Sequence, residues 1–136
     1  MGFLSSIGVD VSAFKRGVRG DGFLAGCIYG DGDVQRHILG IHRDFADSWR
    51  LCGDFACVLL PPARIDPSSY SIETDTVDEY ASRIRNGSVP PPVVLDYDGD
   101  FIDGGHRHAA ALAAGAGEML ALVQIADIQE DPDEEN

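Results

Sequence analysis

The residues with the clearest chemical potential lie in one short stretch, Asp103-Gly104-Gly105-His106-Arg107, which follows an apolar segment and opens an alanine-rich one. Paired glycines between a strand and a helix let the backbone pass close to a ligand. They also leave free N–H groups at the positive end of the helix. His106 and Arg107 add side chains that can hydrogen-bond to an anion or neutralise it. The stretch therefore predicts a phosphate-binding site.

Each of these side chains also has a structural explanation. Arg107 can hold a phosphate through two parallel hydrogen bonds, but it can equally pair with Asp103. His106 suits general acid–base catalysis near neutral pH, or it caps the helix by bonding to the backbone. Asp103 could hold Mg²⁺ through water or orient Arg107. His108 points to another face of the helix, so we expect it at the surface.

The secondary-structure elements that position these residues can be predicted from the sequence from about Phe55 onward. Four apolar runs predict strands, at 55–60, 93–97, 100–102 and 120–125. The turn Asp98-Gly99 joins the second and third strands, and the last strand is apolar enough to lie in the interior of a sheet. Helices are predicted at 76–86 and 106–114. The order of strand, helix, hairpin, helix and strand predicts an α+β fold with a mixed sheet.

The first of these helices has its own boundary signals and charged residues. Thr76 and Glu79 form a capping box that predicts the helix start at Thr76, and Asn86-Gly87 predicts its end. Arg83 lies one turn beyond Glu79, so we expect an exposed ion pair between them.

The remaining segments are less regular. The runs 23–29 and 34–41 flank the turn at 30–33 and predict a β-hairpin, while 44–51 predicts a short helix. We expect residues 1–54 to form an extension packed on the same domain as residues 55–128. This extension either completes the sheet or covers the site as a lid. Residues 129–136 are predicted to be an acidic disordered tail.

Composition limits the possible partners. The chain of 136 residues carries 23 acidic and 10 basic side chains and a net charge of −13. Such a surface repels a nucleic-acid backbone, which disfavours a nucleic-acid partner. There is no apolar run of about 18 residues that would span a membrane, and no secretory signal. Cys27, Cys52 and Cys57 lack the spacing of a zinc site, which favours reduced thiols in a cytoplasmic protein.

From about Phe55 to Ile128 the chain resembles the ParB/sulfiredoxin superfamily. The resemblance rests on three segments and the hairpin between the first two: Ser88-Val89-Pro90-Pro91, Gly104-Gly105-His106-Arg107-His108-Ala109-Ala110 and Ala121-Leu122-Val123-Gln124. Sulfiredoxins show a similar order of elements, and ParB-like nuclease domains have a similar Asp-Gly-x-His-Arg-x-x-Ala loop. The implied fold is a ParB/sulfiredoxin-like mixed sheet with two main helices, plus an N-terminal hairpin and helix extension.

The resemblance implies a bound nucleoside triphosphate, ATP or CTP with Mg²⁺, whose phosphates lie over the loop and the start of the following helix. Gly104, Gly105, His106 and Arg107 carry over as nucleotide-binding residues. One departure concerns the chemistry: sulfiredoxins have a cysteine before the His-Arg pair, and here Gly105 is followed directly by His106. Sulfinic-acid repair is therefore not expected.

The helix that precedes this loop borders the nucleotide in the superfamily. Thr76 and Arg83 are therefore further candidates for nucleotide binding, and Glu79 is a candidate base or metal contact. A second departure lies in this helix, because Thr76 stands where sulfiredoxins place a lysine that touches ATP.

These inferences favour a cytoplasmic protein that binds a nucleoside triphosphate and hydrolyses it or transfers its phosphoryl group to a small-molecule acceptor. His106, Arg107 and Glu79 would be catalytic, and Asp103 would contact the metal. Arg107→Ala is then expected to abolish turnover in a protein that stays folded. Two alternatives stay open: a ParB-like nuclease or DNA-associated protein, and a catalytically inactive interaction protein of phage or mobile-element origin.

Overall fold

The structure is a computed structural model, and it describes residues 2–18, 20, 22–41, 53–65, 74–87 and 91–126. Its strands are β1 (Lys15–Arg16), β2 (Cys27–Gly30), β3 (Asp54–Leu60), β4 (Val93–Leu95), β5 (Phe101–Asp103) and β6 (Met119–Gln124). Its α-helices are α1 (Phe3–Ser6), α2 (Asp31–Ile41), α3 (Thr74–Arg85) and α4 (Gly105–Ala114). Short 3₁₀ turns occupy Val11–Ala13 and Pro62–Arg64. No helix in these ranges has both the length and the apolar character needed to cross a membrane.

The described strands form one mixed sheet in the order β1-β2-β3-β6-β4-β5. β6 lies in the interior, antiparallel to β3 and parallel to β4. Its last four residues are buried, because both faces of an interior strand are covered by other elements. The α+β class, the mixed sheet and the interior position of the last strand are confirmed. The more specific ParB-like resemblance stays a prediction.

The hairpin predicted in the first part of the chain is wrong. The segment expected to be its second strand belongs to α2, which follows β2 directly. Val34 and Ile38, one helical turn apart, are fully buried on the sheet. Two aspartates lie in the first turn of α2, where negative charge is favourable. Burial of the apolar stripe therefore outweighs the turn propensity of residues 30–33. The helix predicted at 44–51 and the tail at 129–136 lie outside the described residues.

Strands β1 and β2 extend the sheet beyond β3. β2 pairs antiparallel with β3, and β1 pairs parallel with β2. Residues 1–54 are predicted either to complete the sheet or to cover the site as a lid. Strands β1 and β2 complete the sheet. The division of the chain into an extension and a domain stays a prediction.

Each face of the sheet carries a core. On one face, Leu4 of α1 and Ala111 of α4 pack with buried residues of β3, β4 and β6. On the other face, α2 packs on β2, β3 and β6. α3 packs on α4 through Val77, Ala81 and Ala110. α4 therefore lies between the sheet and α3, with its first turn directly after β5.

Asp96 fixes the hairpin that leads into β5. Its Oδ1 accepts hydrogen bonds from the N–H groups of Asp98 at 2.9 Å and Asp100 at 3.0 Å. Gly99 has a φ of +93°, so the predicted turn at Asp98-Gly99 is confirmed. Burial raises the pKa of Asp96, and its carboxylate closes the turn.

Candidate functional site

The bend between β5 and α4 is built on Gly104. Its φ of +106° lies in the left-handed region, and a Cβ at this position would approach Val93 Cγ1 to 2.6 Å. Gly104 is also the N-cap of α4 and has no side chain that could accept a hydrogen bond from the first turn. The N-cap residue of α4 therefore contributes no side-chain cap, and Gly105 and His106 are half-exposed in the first turn.

Arg107 folds back under this bend. Its Nη2 donates to Oδ2 of Asp103 at 2.9 Å and to the carbonyl oxygen of Pro92 at 3.0 Å. The side chains of Arg107 and Asp103 are 7% and 6% exposed. Nη2 also lies 3.0 Å from the position that a Cβ of Gly104 would take. Of the two explanations for Arg107, pairing with Asp103 is the one present in the structure.

The guanidinium of Arg107 has an unsatisfied buried donor. Its Nε is buried and has no hydrogen-bond partner among the described residues. Leaving a buried donor unsatisfied costs roughly 1–3 kcal/mol. An acceptor that reached this N–H would remove the penalty.

Asp103 ends β5 and pairs across the hairpin with Val94. Its carboxylate is buried against Arg107, and a buried charge requires such a partner. Within the described residues there is no group of three or more His, Cys, Asp or Glu side chains that could hold a metal ion. The Mg²⁺ contact of Asp103 stays a prediction.

His108 is buried, so the expected surface position is wrong. The residue is 0% exposed, and its Nε2 donates to the carbonyl oxygen of Pro62 at 2.7 Å. Its ring lies against Phe101, with centroids 5.2 Å apart. His108 and Ala111 are three residues apart on α4, so they share the helix face that packs on the sheet.

The buried imidazole predicts a pH-dependent stability. Burial lowers the pKa of His108 from its ordinary value of 6.5, although the hydrogen bond to Pro62 opposes this shift. Below that value the unfolded chain binds a proton that the native state binds more weakly, so the free energy of unfolding falls. We expect this decline as the pH falls below about 6.5, and a flatter profile for His108→Gln, whose amide can still donate to Pro62.

Urea unfolding at a series of pH values measures both profiles. The comparison uses the slope against pH within each protein, because His108→Gln can also change stability at every pH. Equal slopes for the two proteins in this window would contradict the role of His108.

The candidates on α3 form an exposed pair. Oε1 of Glu79 accepts a hydrogen bond from Nη2 of Arg83 at 2.7 Å, and the two side chains are 63% and 61% exposed. The predicted ion pair is confirmed, and at this exposure such a pair contributes at most about 1 kcal/mol. The predicted helix start is wrong. α3 begins at Thr74, which makes Thr76 its third residue, because Asp75 already favours helix in the first turn.

Sequence reasoning missed the contact of α2 with this region. Nε2 of His37 lies 3.2 Å from the carbonyl oxygen of Pro92, the same oxygen that accepts a hydrogen bond from Arg107. The ring of His37 packs edge-on against Phe23, with centroids 5.0 Å apart. His37 follows the buried Val34 by three residues, but this signal is readable only once the segment is known to be helical.

The structure thus brings the candidates into two groups. Asp103, Gly104 and Arg107 are in direct contact at the bend, and Glu79 pairs with Arg83 on α3. Comparisons of the chain with protein-family models, with curated proteins and with solved structures found no match. The chemistry of the bend therefore has to be inferred from its own residues.

Proposed function

We propose that the protein binds a nucleoside triphosphate, with its phosphates at the start of α4, and that it hydrolyses the triphosphate or transfers its terminal phosphoryl group. The observation that carries this proposal is the start of α4, where the N-cap residue is the left-handed Gly104 and where Gly105 and His106 are half-exposed. The first N–H groups of a helix point outward along its axis and carry the positive end of its dipole. Such N–H groups form a phosphate site when the backbone before the helix lets a ligand approach closely, as a glycine does.

The buried ion pair changes the role expected of Arg107. Nη2 contacts Asp103 and Pro92, so this part of the guanidinium holds the bend in shape, and Asp103 offsets its charge. In the proposed site, Arg107 is mainly a positioning residue. The buried Nε without a partner supports a second task, because a phosphate oxygen would satisfy this donor if ligand binding opened the bend.

His106 is the side chain best placed to act on the ligand. It is half-exposed in the first turn of α4, where an imidazole can donate to a phosphate oxygen or transfer a proton. Catalysis would rest mainly on positioning and on electrostatic stabilisation by the main-chain N–H groups. Mg²⁺ would offset the charge of the triphosphate, and Asp103 would have to exchange its contact with Arg107 to bind it.

The nucleotide itself, ATP or CTP, is proposed from the ParB/sulfiredoxin resemblance. The packing of α3 on α4 through Val77, Ala81 and Ala110 supports the further proposal that Thr76, Glu79 and Arg83 border the nucleotide, because it makes the two helices neighbours.

The variant Gly105→Asp tests the phosphate site. A carboxylate at the first residue of α4 favours the helix by about 0.3–1 kcal/mol but repels a phosphate and competes for the same N–H groups. We expect ATP or CTP with Mg²⁺ to raise the melting temperature of the unmodified protein and to leave that of Gly105→Asp unchanged. Thermal melting in the presence and absence of ATP, ADP, CTP and GTP measures the effect.

Gly117→Asp is the matched control. It makes the same chemical change at an exposed glycine that has no atom within 4 Å of its Cβ position. This variant should keep the full nucleotide response. The proposal would be contradicted if no nucleotide raised the melting temperature of the unmodified protein. It would also be contradicted if the rise persisted in Gly105→Asp.

One observation favours a second candidate, a catalytically inactive interaction protein. Arg107 is paired with Asp103 and Glu79 with Arg83, so structural contacts already account for all four charges. A well-folded protein that gives no shift with any nucleotide would support this candidate. The DNA-associated alternative stays disfavoured by the net charge of −13, and salt-dependent DNA binding would be needed to support it.

A further inference from the structure

Two cysteines lie near each other on the adjacent strands β2 and β3. The antiparallel register pairs Tyr29 with Phe55 and Ile28 with Ala56, where the regular pairing ends, and Cys27 and Cys57 are the next residues along the two strands. Cys57 is buried in the apolar cluster under α2, and Cys27 packs against the same cluster. The two thiols therefore lie on the same face of the sheet.

A glycine turn precedes Cys27. Gly26 has a φ of +88°, and its N–H donates to the carbonyl oxygen of Cys57 at 2.8 Å. The N–H of Cys27 donates to the carbonyl oxygen of Leu24 at 3.2 Å and closes the turn before the strand. Directly opposed residues in antiparallel strands have Cβ atoms about 4.5–5.5 Å apart, close to the about 3.5–4.5 Å found in disulfides. A disulfide between Cys27 and Cys57 would therefore require a local shift that brings the two sulfurs together.

The environments of the two thiols differ. Both are free; Cys27 is half-buried and Cys57 is fully buried. Burial, and to a lesser extent the neighbouring Cys27, raises the pKa of Cys57 to about 12. Cys57 therefore stays protonated at neutral pH. An oxidant dissolved in water reaches Cys27 first, and Cys57 lies behind it as the second thiol.

We propose that Cys27 and Cys57 form a cross-strand disulfide when the folded protein meets a hydroperoxide oxidant. Hydrogen peroxide transfers one oxygen to the sulfur of Cys27, which yields a sulfenic acid and one water. The sulfur of Cys57 then attacks that sulfur, so that the S–S bond forms and the S–O bond breaks. The leaving hydroxide takes the proton of Cys57 and becomes a second water. Two thiols and one peroxide thus give one disulfide and two waters.

The disulfide would close the chain segment that contains α2. It would keep Cys27 and Cys57 joined in the unfolded chain and so reduce the conformational entropy of the unfolded state. The site is independent of the proposed nucleotide site, since β2 and β3 lie on the other side of β6 from β4 and β5.

The test uses Cys52→Ser, in which Cys27 and Cys57 are the remaining cysteines. After treatment of the folded protein with hydrogen peroxide, we expect an intact mass lower by about 2 Da, the mass of the two thiol hydrogens. Trypsin digestion without reduction should give the peptides 20–36 and 51–64 as one cross-linked species. The oxidised protein should melt at least about 5 °C higher than the reduced one, and a reductant should reverse this shift.

The control adds Cys27→Ser to the same background, which should abolish both the cross-link and the rise in melting temperature. A Cys52→Ser protein that keeps two free thiols after oxidation would overturn the proposal. So would a cross-link that forms only in urea, or one that lowers the melting temperature, because either would mean that the native strands do not accommodate the bond.

Discussion

Arg107→Met is expected to lower the free energy of unfolding by about 3–5 kcal/mol, because it leaves the buried carboxylate of Asp103 without a cation. Asp103 is 8% exposed, so water cannot replace the lost guanidinium. The carbonyl oxygen of Pro92 loses a donor in the same substitution. Methionine keeps much of the aliphatic volume, so the loss measures mainly the charge. Urea unfolding followed by circular dichroism at pH 7 gives the free energy.

Two further variants compare the contribution of the buried pair to the free energy of unfolding with that of an exposed ion pair. Glu79→Ala breaks the exposed pair with Arg83 and should cost at most about 1 kcal/mol. Asp103→Asn combined with Arg107→Met removes both charges and should recover a large part of the loss, because no buried charge is left unpaired. If Arg107→Met costs no more than Glu79→Ala, the pair under the bend does not stabilise the fold.

This buried pair alters the test that the sequence alone suggested. From the sequence alone, Arg107→Ala is predicted to abolish turnover in a protein that stays folded. The structure predicts instead that removal of Arg107 weakens the fold itself, since its guanidinium is the partner of Asp103. Loss of activity in that variant would not distinguish a catalytic role from a structural one. Gly105→Asp makes the distinction, because it is expected to leave the fold intact.

The second half of the fold was predictable because its signals are local. Apolar runs bounded by turn residues located β3, the β4–β5 hairpin and β6 to within two residues at each end. Gly87 and Gly115 mark the ends of α3 and α4 with φ values of +97° and +71°. Such signals depend on the backbone preferences of a few adjacent residues, so they can be read without knowledge of tertiary packing.

The segment that became α2 could not be assigned in this way. It combines a glycine- and aspartate-rich start, typical of turns, with an apolar pattern short enough to fit either a strand or a helix. Burial of Val34 and Ile38 on the sheet decides the outcome, and this contact involves strands formed by residues later in the chain.

The directions of His108 and Arg107 were also decided by packing. α4 lies between the sheet and α3 and presents small alanines to both, Ala111 to the sheet and Ala110 to α3. With two sides of the helix covered, few of its positions face solvent. Arg107 and His108 in its first turns are buried, and each is paired with a carbonyl oxygen or a carboxylate. Sequence identified the residues at the bend but not which of them would face inward.

Gly104→Ala is the second substitution for which we expect a large effect, a loss of at least about 3 kcal/mol in the free energy of unfolding. The left-handed backbone alone costs an alanine roughly 1–2 kcal/mol. In addition, the new Cβ would lie 2.6 Å from Cγ1 and 2.8 Å from Cβ of Val93. The Cβ of Val93 is fixed by the backbone of β4, so the contact can be relieved only by moving the strand or the helix.

Gly115→Ala provides the matched control for this substitution. Gly115 has a φ of +71°, and no atom lies within 4 Å of its Cβ position. The variant should therefore lose only the free energy of unfolding that the left-handed backbone conformation costs an alanine. Urea unfolding of both variants isolates the contact with Val93 as the difference between their losses. Equal losses would show that Gly104 is needed only for its backbone angle. A clear excess at Gly104 would mean that packing on β4 requires this glycine whether or not a phosphate binds, which leaves Gly105 as the glycine that tests the ligand.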